Sequence, residues 1–479
     1  MEAGLFRFLR FSLGLEGEVK GLLDGRKGTF DWDACYQFAK RQTLVGVLFD
    51  GIQRLPKELA PARPLLLRWL SDSESIRRRN MRMDRASAYI YNKVSAAGFR
   101  CCILKGQGNA LLYPHPSSRT PGDVDVWVVA NREELRHIAL SLTEGDGSSL
   151  QESLNHIGLT VYGVSVELHS TPALLNSPLH NSRLQRWLKR NADLQCSNRI
   201  ALPNNAGEVA VPTVSFNIIY QLCHLFHHCF YEGVGLRQIV DYYFVLKNTD
   251  FSGNTDGGAG NTDRDEVLLN TDYTDSTDSS SGDFEGDGCF LNTDYTDFTD
   301  RFSGNTDRDE VLLNTDYTDS TDSSSGDFEG DGCLLNTDCA DFFDSSSGGL
   351  GEVDSGGALV ALQEELKWLG LWEFAGAVMY VLREVMGLDE KRMICAPDER
   401  RGRLLLEEIM AGGNFGHYDE RNHFGQGVLW HNIQRFRRDW RMLRFYPSEA
   451  LSEPLFRAWH FLWRWKQKHI GMPKERNLN

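Results

Sequence analysis

Most of this chain spaces its apolar residues at helical intervals, and one stretch, residues 101–169, changes to the two-residue alternation of a β-sheet. That single change of period limits the fold. The sheet has to be small and the helices around it extensive, which predicts an α+β protein with a small mixed sheet flanked by N- and C-terminal helices. The strand-like runs are CCILKG at 101–106, DVDVWVV at 123–129, and two alternating segments at 154–162 and 164–169 that read as a hairpin turning at Gly163. A short helix is expected through GNALLYP, and another after Asn131, whose N-cap side chain and Glu134 three residues on form a capping box. Helical spacing also covers 30–54, 64–95, the region from 212 onward, 359–386 and 427–444.

A second feature excludes part of the chain from any core. The thirty-residue string running from Gly260 to Cys289 recurs unchanged from Gly304 to Cys333, a period of 44 residues. It consists mainly of Asp, Thr, Ser, Gly and Asn, with VLL as its one apolar cluster, so it cannot bury enough surface to offset its ordering entropy. Residues 249–356 are therefore expected to be a disordered acidic insert with no catalytic role. The segment holds 28 Asp and Glu against three Arg, a net of −25, so the formal −16 of the 479-residue chain becomes +9 for the other 371 residues. A mildly basic body suits a phosphorylated ligand. Its Asp-rich spacing contains no calcium loop of the D-x-[DN]-x-[DN]-G type.

The β-zone carries chemistry that a strand does not ordinarily tolerate. In GDVDVWV (122–128) Asp123 and Asp125 fall on one face of a short apolar strand. Side chains at i and i+2 lie roughly 6.5 Å apart along a strand. That spacing lets two carboxylates bracket a pair of divalent ions, as phosphoryl and nucleotidyl transfer require. Glu167, in VELHS, projects from one face of its own strand and supplies a third carboxylate. Hard oxygen ligands favour magnesium, two ions being expected. Upstream, Lys105 and Gly106 stand where a strand opens into a helix, so backbone N–H groups and an ammonium can meet a triphosphate. Arg119, four residues before Asp123, is a candidate guanidinium fork for phosphate oxygens.

LKGQGNALLYPHPSSRTPGDVDVWV (104–128) followed by VELHS resembles the bacterial uncharacterised nucleotidyltransferase family, within the DNA polymerase β-like nucleotidyltransferase superfamily. Similarity extends to HLFHH and GLRQIVD (224–241), to GNFG (413–416) and to the Tyr446–Pro447 region. The resemblance implies a nucleotidyltransferase-type sheet, a magnesium site and a nucleoside triphosphate donor. On that basis Asp123, Asp125 and Glu167 are the catalytic and metal-holding residues, with Lys105 and Gly106 at the phosphate-loop position. The wider superfamily has Gly-Gly or Gly-Ser where this chain has Lys105-Gly106.

Other features are read more plainly. His169 shares the face of Glu167 and could orient a ligand or act as a base, but reads first as a structural support behind the ligands. His224, His227 and His228 share a helix face but lack an accompanying metalloprotease glutamate, so they read as packed histidines. NIQRFRRDWRMLRF (432–445) is amphipathic and basic and reads as a solvated helix flank. Ten cysteines without a CxxC pair, an N-terminus that reads as the start of a helix, and no run near the roughly 18 apolar residues of a membrane span predict a cytoplasmic protein with no membrane partner. The expected organisation is an N-terminal helical region (1–98), a nucleotidyltransferase core (99–175), a helical region (176–248), the acidic insert (249–356) and a C-terminal helical region (357–479). The expected function is magnesium-dependent transfer of a nucleoside monophosphate to an acceptor that the sequence does not identify: a small molecule, carbohydrate, protein or RNA terminus. The alternative is a catalytically inactive nucleotide-binding or protein-interaction module.

Overall fold

A computed structural model describes residues 2–18, 30–143, 150–153, 155–249, 355–419 and 428–470. All but the ends of the acidic insert lie outside these residues. The protein is α+β. Strands β1 (Cys101–Leu104), β2 (Val124–Val128), β3 (Gln151–Glu152), β4 (His156–Val161) and β5 (Val164–His169) form one mixed sheet in the order β1-β2-β5-β4-β3. β2 and β5 are parallel and the other pairs antiparallel. The β4–β5 hairpin turns through Tyr162 and Gly163, both at positive φ, the twist-compatible geometry of a two-residue turn.

Strand alternation gives the sheet two unlike faces. Val124, Val126, Val128, Val166 and Leu168 enter the apolar core, and helices α4 (Arg63–Ala96) and α6 (Arg132–Leu142) pack against the sheet. The alternate residues, Asp125, Trp127, Glu167 and His169, share the other face. Asn131 and Glu134 cap α6 reciprocally, as its sequence requires.

Helix α4 also fixes the approach to β2. Asn80 donates from Nδ2 to the carbonyls of Ser117 (2.9 Å) and Arg119 (2.8 Å), and Arg79 donates to Gly122 O at 3.1 Å. Part of the cationic surface of α4 thus goes into holding a loop.

The segment 30–54 is not one helix. It divides into α2 (Trp32–Arg41) and α3 (Val45–Gln53), broken where Thr43 takes φ 53°. The long C-terminal pattern likewise divides into α10 (Ser355–Trp368) and α11 (Trp372–Met386), with Gly370 at φ +72° between them. Between the sheet and the insert come α7 (Pro178–Ser197), a two-stranded ribbon of β6 (Arg199–Leu202) and β7 (Gly207–Ala210), α8 (Val214–Tyr231) and α9 (Leu236–Lys247). The remaining helices are α1 (Glu2–Ser12), the short α5 (Gly106–Ala110), α12 (Glu399–Gly412), α13 (Val428–Leu443) and α14 (Pro447–Ile470).

The C-terminal part is tied to the core by a buried carboxylate. Glu449 accepts hydrogen bonds from the backbone N–H of Asn176 (2.6 Å) and Ser177 (3.2 Å) at the start of α7. Phe226 of α8 packs against Phe374 and Tyr446.

Gly46 of α3 presses on the carbonyl of Ser118, so a Cβ there would collide with backbone. Gly46→Ala is expected to cost about 1–3 kcal/mol by overpacking, read as a lower urea midpoint. A change below about 0.5 kcal/mol would show that the 116–122 loop gives way freely.

Candidate active site

The parallel register places Asp125 directly beside Glu167, and Trp127 beside His169. Two residues before Asp125, Asp123 enters β2 on the same side. Carboxylate oxygens of Asp123, Asp125 and Glu167 all lie within 4.8 Å of one another. The three acids expected to converge do so, and the cluster is chemically suited to holding a metal ion.

Such a cluster survives folding because cations and imidazoles surround it. Lys105 Nζ lies 2.9 Å from Asp125 Oδ2, and His169 Nε2 lies 3.0 Å from Asp125 Oδ1 and 3.2 Å from Glu167 Oε2. Burial pushes the Asp125 carboxyl up, but Lys105 and His169 outweigh it and hold Asp125 below the usual carboxylate range. Glu167 is also held low: burial opposes its charge, and the His169 hydrogen bond prevails. Asp123 lacks that relief. The Asp125 charge, reinforced by burial, raises it to about 6. Burial disfavours a charged His169, yet Asp125 and Glu167 lift it to about 9.

Lys105 is the residue on which these charges turn. It links β1 to α5 at φ 49°, ψ −125°, backbone that favours glycine, and Gly106 follows at φ +31°. The strained turn sends the ammonium inward, where it also meets His224 Nε2 at 3.3 Å. Burial and the neighbouring Lys105 charge keep His224 well below its ordinary pKa, so a neutral imidazole accepts from the ammonium. Helix α8 places that histidine: Phe216, Tyr220 and His224 fall at four-residue intervals, with Phe216 stacked on Trp127 of β2. His224 then meets His228 edge to face at 4.2 Å, and His228 pairs with Glu232 at 3.0 Å. Phe415 of GNFG packs on His228 at 5.1 Å. The packed-histidine reading of this face accords with these contacts, and His224 has a further function that spacing did not reveal.

Arg119 is not brought to the cluster. Its Nε and Nη2 donate to Asp241 Oδ1 and Oδ2, each at 2.7 Å, in a buried bidentate pair that Tyr113 OH joins at 2.6 Å. The fork expected for phosphate is occupied by a carboxylate from α9. Arg237, also from the GLRQIVD run, lies against the loop that leads into β2. Its Nη1 donates to Thr120 O at 3.0 Å, and a Cβ on Gly122 would lie 3.5 Å from it. His156, absent from the sequence reading, lies across the β4–β5 pair from His169, with Nε2 3.6 Å from Glu167 Oε1.

Residues 28–256 match the model of an uncharacterised nucleotidyltransferase family. The matched span contains Lys105, Gly106 and all three carboxylates. Among solved structures, the chain is similar to an antigenic nucleotidyltransferase-like protein from Paracoccidioides brasiliensis. The identity is 15%, over 35% of this chain and 77% of that one, with a TM-score of 0.24. No curated protein matches. Among the described residues, no helix is long and apolar enough to cross a membrane.

Two outcomes follow from these contacts. Because the folded pKa of Asp123 is raised to about 6, the folded state holds its proton longer than the unfolded chain. Without metal, stability should therefore fall as pH rises from about 4 to about 6. Asp123→Asn should then stabilise chelator-treated protein above pH 6 by up to about 3 kcal/mol, seen as a higher melting temperature; coincident curves would contradict the charge assignment. Arg119→Ala should cost about 3–5 kcal/mol in denaturant unfolding by stranding Asp241, whereas a phosphate-only role would leave unfolding unchanged.

Proposed function

We propose that the protein is a magnesium-dependent nucleotidyltransferase that moves a nucleoside monophosphate from a nucleoside triphosphate to an acceptor hydroxyl. The observation that carries this reading is the convergence of Asp123, Asp125 and Glu167 beside the Lys105–Gly106 turn. The donor set is all hard oxygen, and its three carboxylates outnumber the single Lys105 ammonium, so the residues present fit divalent ions. Bound magnesium would neutralise the triphosphate and the charge that develops in transfer.

The chain's own groups have definable tasks. Lys105 can exchange Asp125 for a phosphate oxygen while His224 keeps the ammonium in place. The N–H of Gly106 opens the turn toward the same phosphates. The acceptor oxygen bonds to the α-phosphorus, the bond to the bridging oxygen breaks, and pyrophosphate leaves with the electron pair. In this reading Glu167, the residue linked to His169 that is most open to solvent, takes the hydroxyl proton. Most of the acceleration comes from positioning and charge neutralisation.

A second reading is supported by the same ion pair. Lys105 bound to Asp125 satisfies a carboxylate that a metal would otherwise use, as suits a module that binds nucleotide without turning it over. Assays with γ-labelled triphosphates and magnesium separate the two, since binding without release of labelled pyrophosphate favours the second. In the enzyme, Asp125→Ala should lower turnover at least about 100-fold with the fold intact by circular dichroism. Undiminished turnover in that variant would rule out the carboxylate cluster as the catalytic site.

A further inference from the structure

The antiparallel β4–β5 pairing places His156 opposite His169 and Gly158 opposite Glu167. The Glu167 carboxylate lies between two imidazoles. Each of its oxygens meets a different ring: Oε1 lies 3.6 Å from His156 Nε2, and Oε2 lies 3.2 Å from His169 Nε2. The ring centroids are 5.2 Å apart, and ligand atoms of His156, Glu167 and His169 all lie within 4.8 Å of one another. All three are at least partly buried on rigid strands, and one of them is shared with the carboxylate trio.

This donor set differs in kind from the trio. Two imidazoles and one carboxylate suit manganese, cobalt or zinc, ions that accept nitrogen, whereas magnesium prefers oxygen. We propose that His156, His169 and Glu167 form a nitrogen-bearing cation position, joined through Glu167 to the oxygen-only position of Asp123, Asp125 and Glu167, and selective for a borderline first-row divalent ion. The proposal rests on the reading of the trio as cation ligands, because Glu167 is common to both. It does not depend on nucleotidyl transfer. When an ion is bound, His169 turns from bridging Asp125 and Glu167 to ligation. The protein would then carry two unlike metal positions side by side.

The test uses the full chain, stripped with a chelator and loaded with Mn2+. Pulsed electron paramagnetic resonance should show nitrogen modulation from imidazole, weakened in His156→Gln and abolished in His156→Gln/His169→Gln. The Mn2+ dissociation constant of His156→Gln should rise at least about tenfold. The wild-type spectrum is decisive even if the double variant does not fold. Mn2+ bound without nitrogen modulation would overturn the proposal and leave the carboxylate reading standing, and failure to bind Mn2+ at all would also overturn it. Nitrogen modulation in a protein that releases no pyrophosphate with Mg2+ and any triphosphate would uphold the proposal and remove the catalytic reading instead.

Discussion

The contact between Lys105 and Asp125 is the interaction on which the rest of the site depends. Three carboxylates gathered within 4.8 Å repel one another, with Asp125 buried and the other two partly buried. The 2.9 Å ion pair, with His169 on the other oxygen of Asp125, makes that density compatible with folding. Its cost appears in the backbone. Lys105 adopts a conformation that glycine would adopt freely, at an expense of order 1–3 kcal/mol. The turn stays strained because β1, α5 and His224 leave the side chain no comparable alternative.

The helical surroundings position as well as cover. On α8 one stripe of side chains runs from Phe216, stacked on the sheet, through Tyr220 to His224 and His228. A single helix thereby sets the depth of the tryptophan on β2 and the direction of the lysine on the neighbouring turn. GNFG, far along the chain, meets the end of that stripe through Phe415. HLFHH and GNFG therefore meet in one continuous packing column.

How much of this could be read in advance depended on the range of the interactions. The α+β class and the facing of Asp123, Asp125 and Glu167 follow from strand alternation, which is local, and the α6 capping box is local too. Pairing partners are not. His156 acquires its role only through the register that sets it against His169, and nothing in its own neighbourhood marks it. Arg119 reads as a phosphate fork because its partner, Asp241, lies 122 residues away. The arginine of GLRQIVD could have been flagged from that motif's similarity, but its direction could not. The break at Thr43 carries neither glycine nor proline, so the 30–54 pattern reads as one helix where the chain makes two.

Glu449 draws the far end of the polypeptide into this arrangement. Its carboxylate occupies the amide donors of Asn176 and Ser177, a few residues beyond the strand that carries Glu167 and His169. A fragment trimmed to the span shared with known sequences would leave those amides without their acceptor and uncover the aromatic seat of Tyr446. Dissecting the molecule at that border would therefore cut contacts that bind the matched stretch to the C-terminal helices.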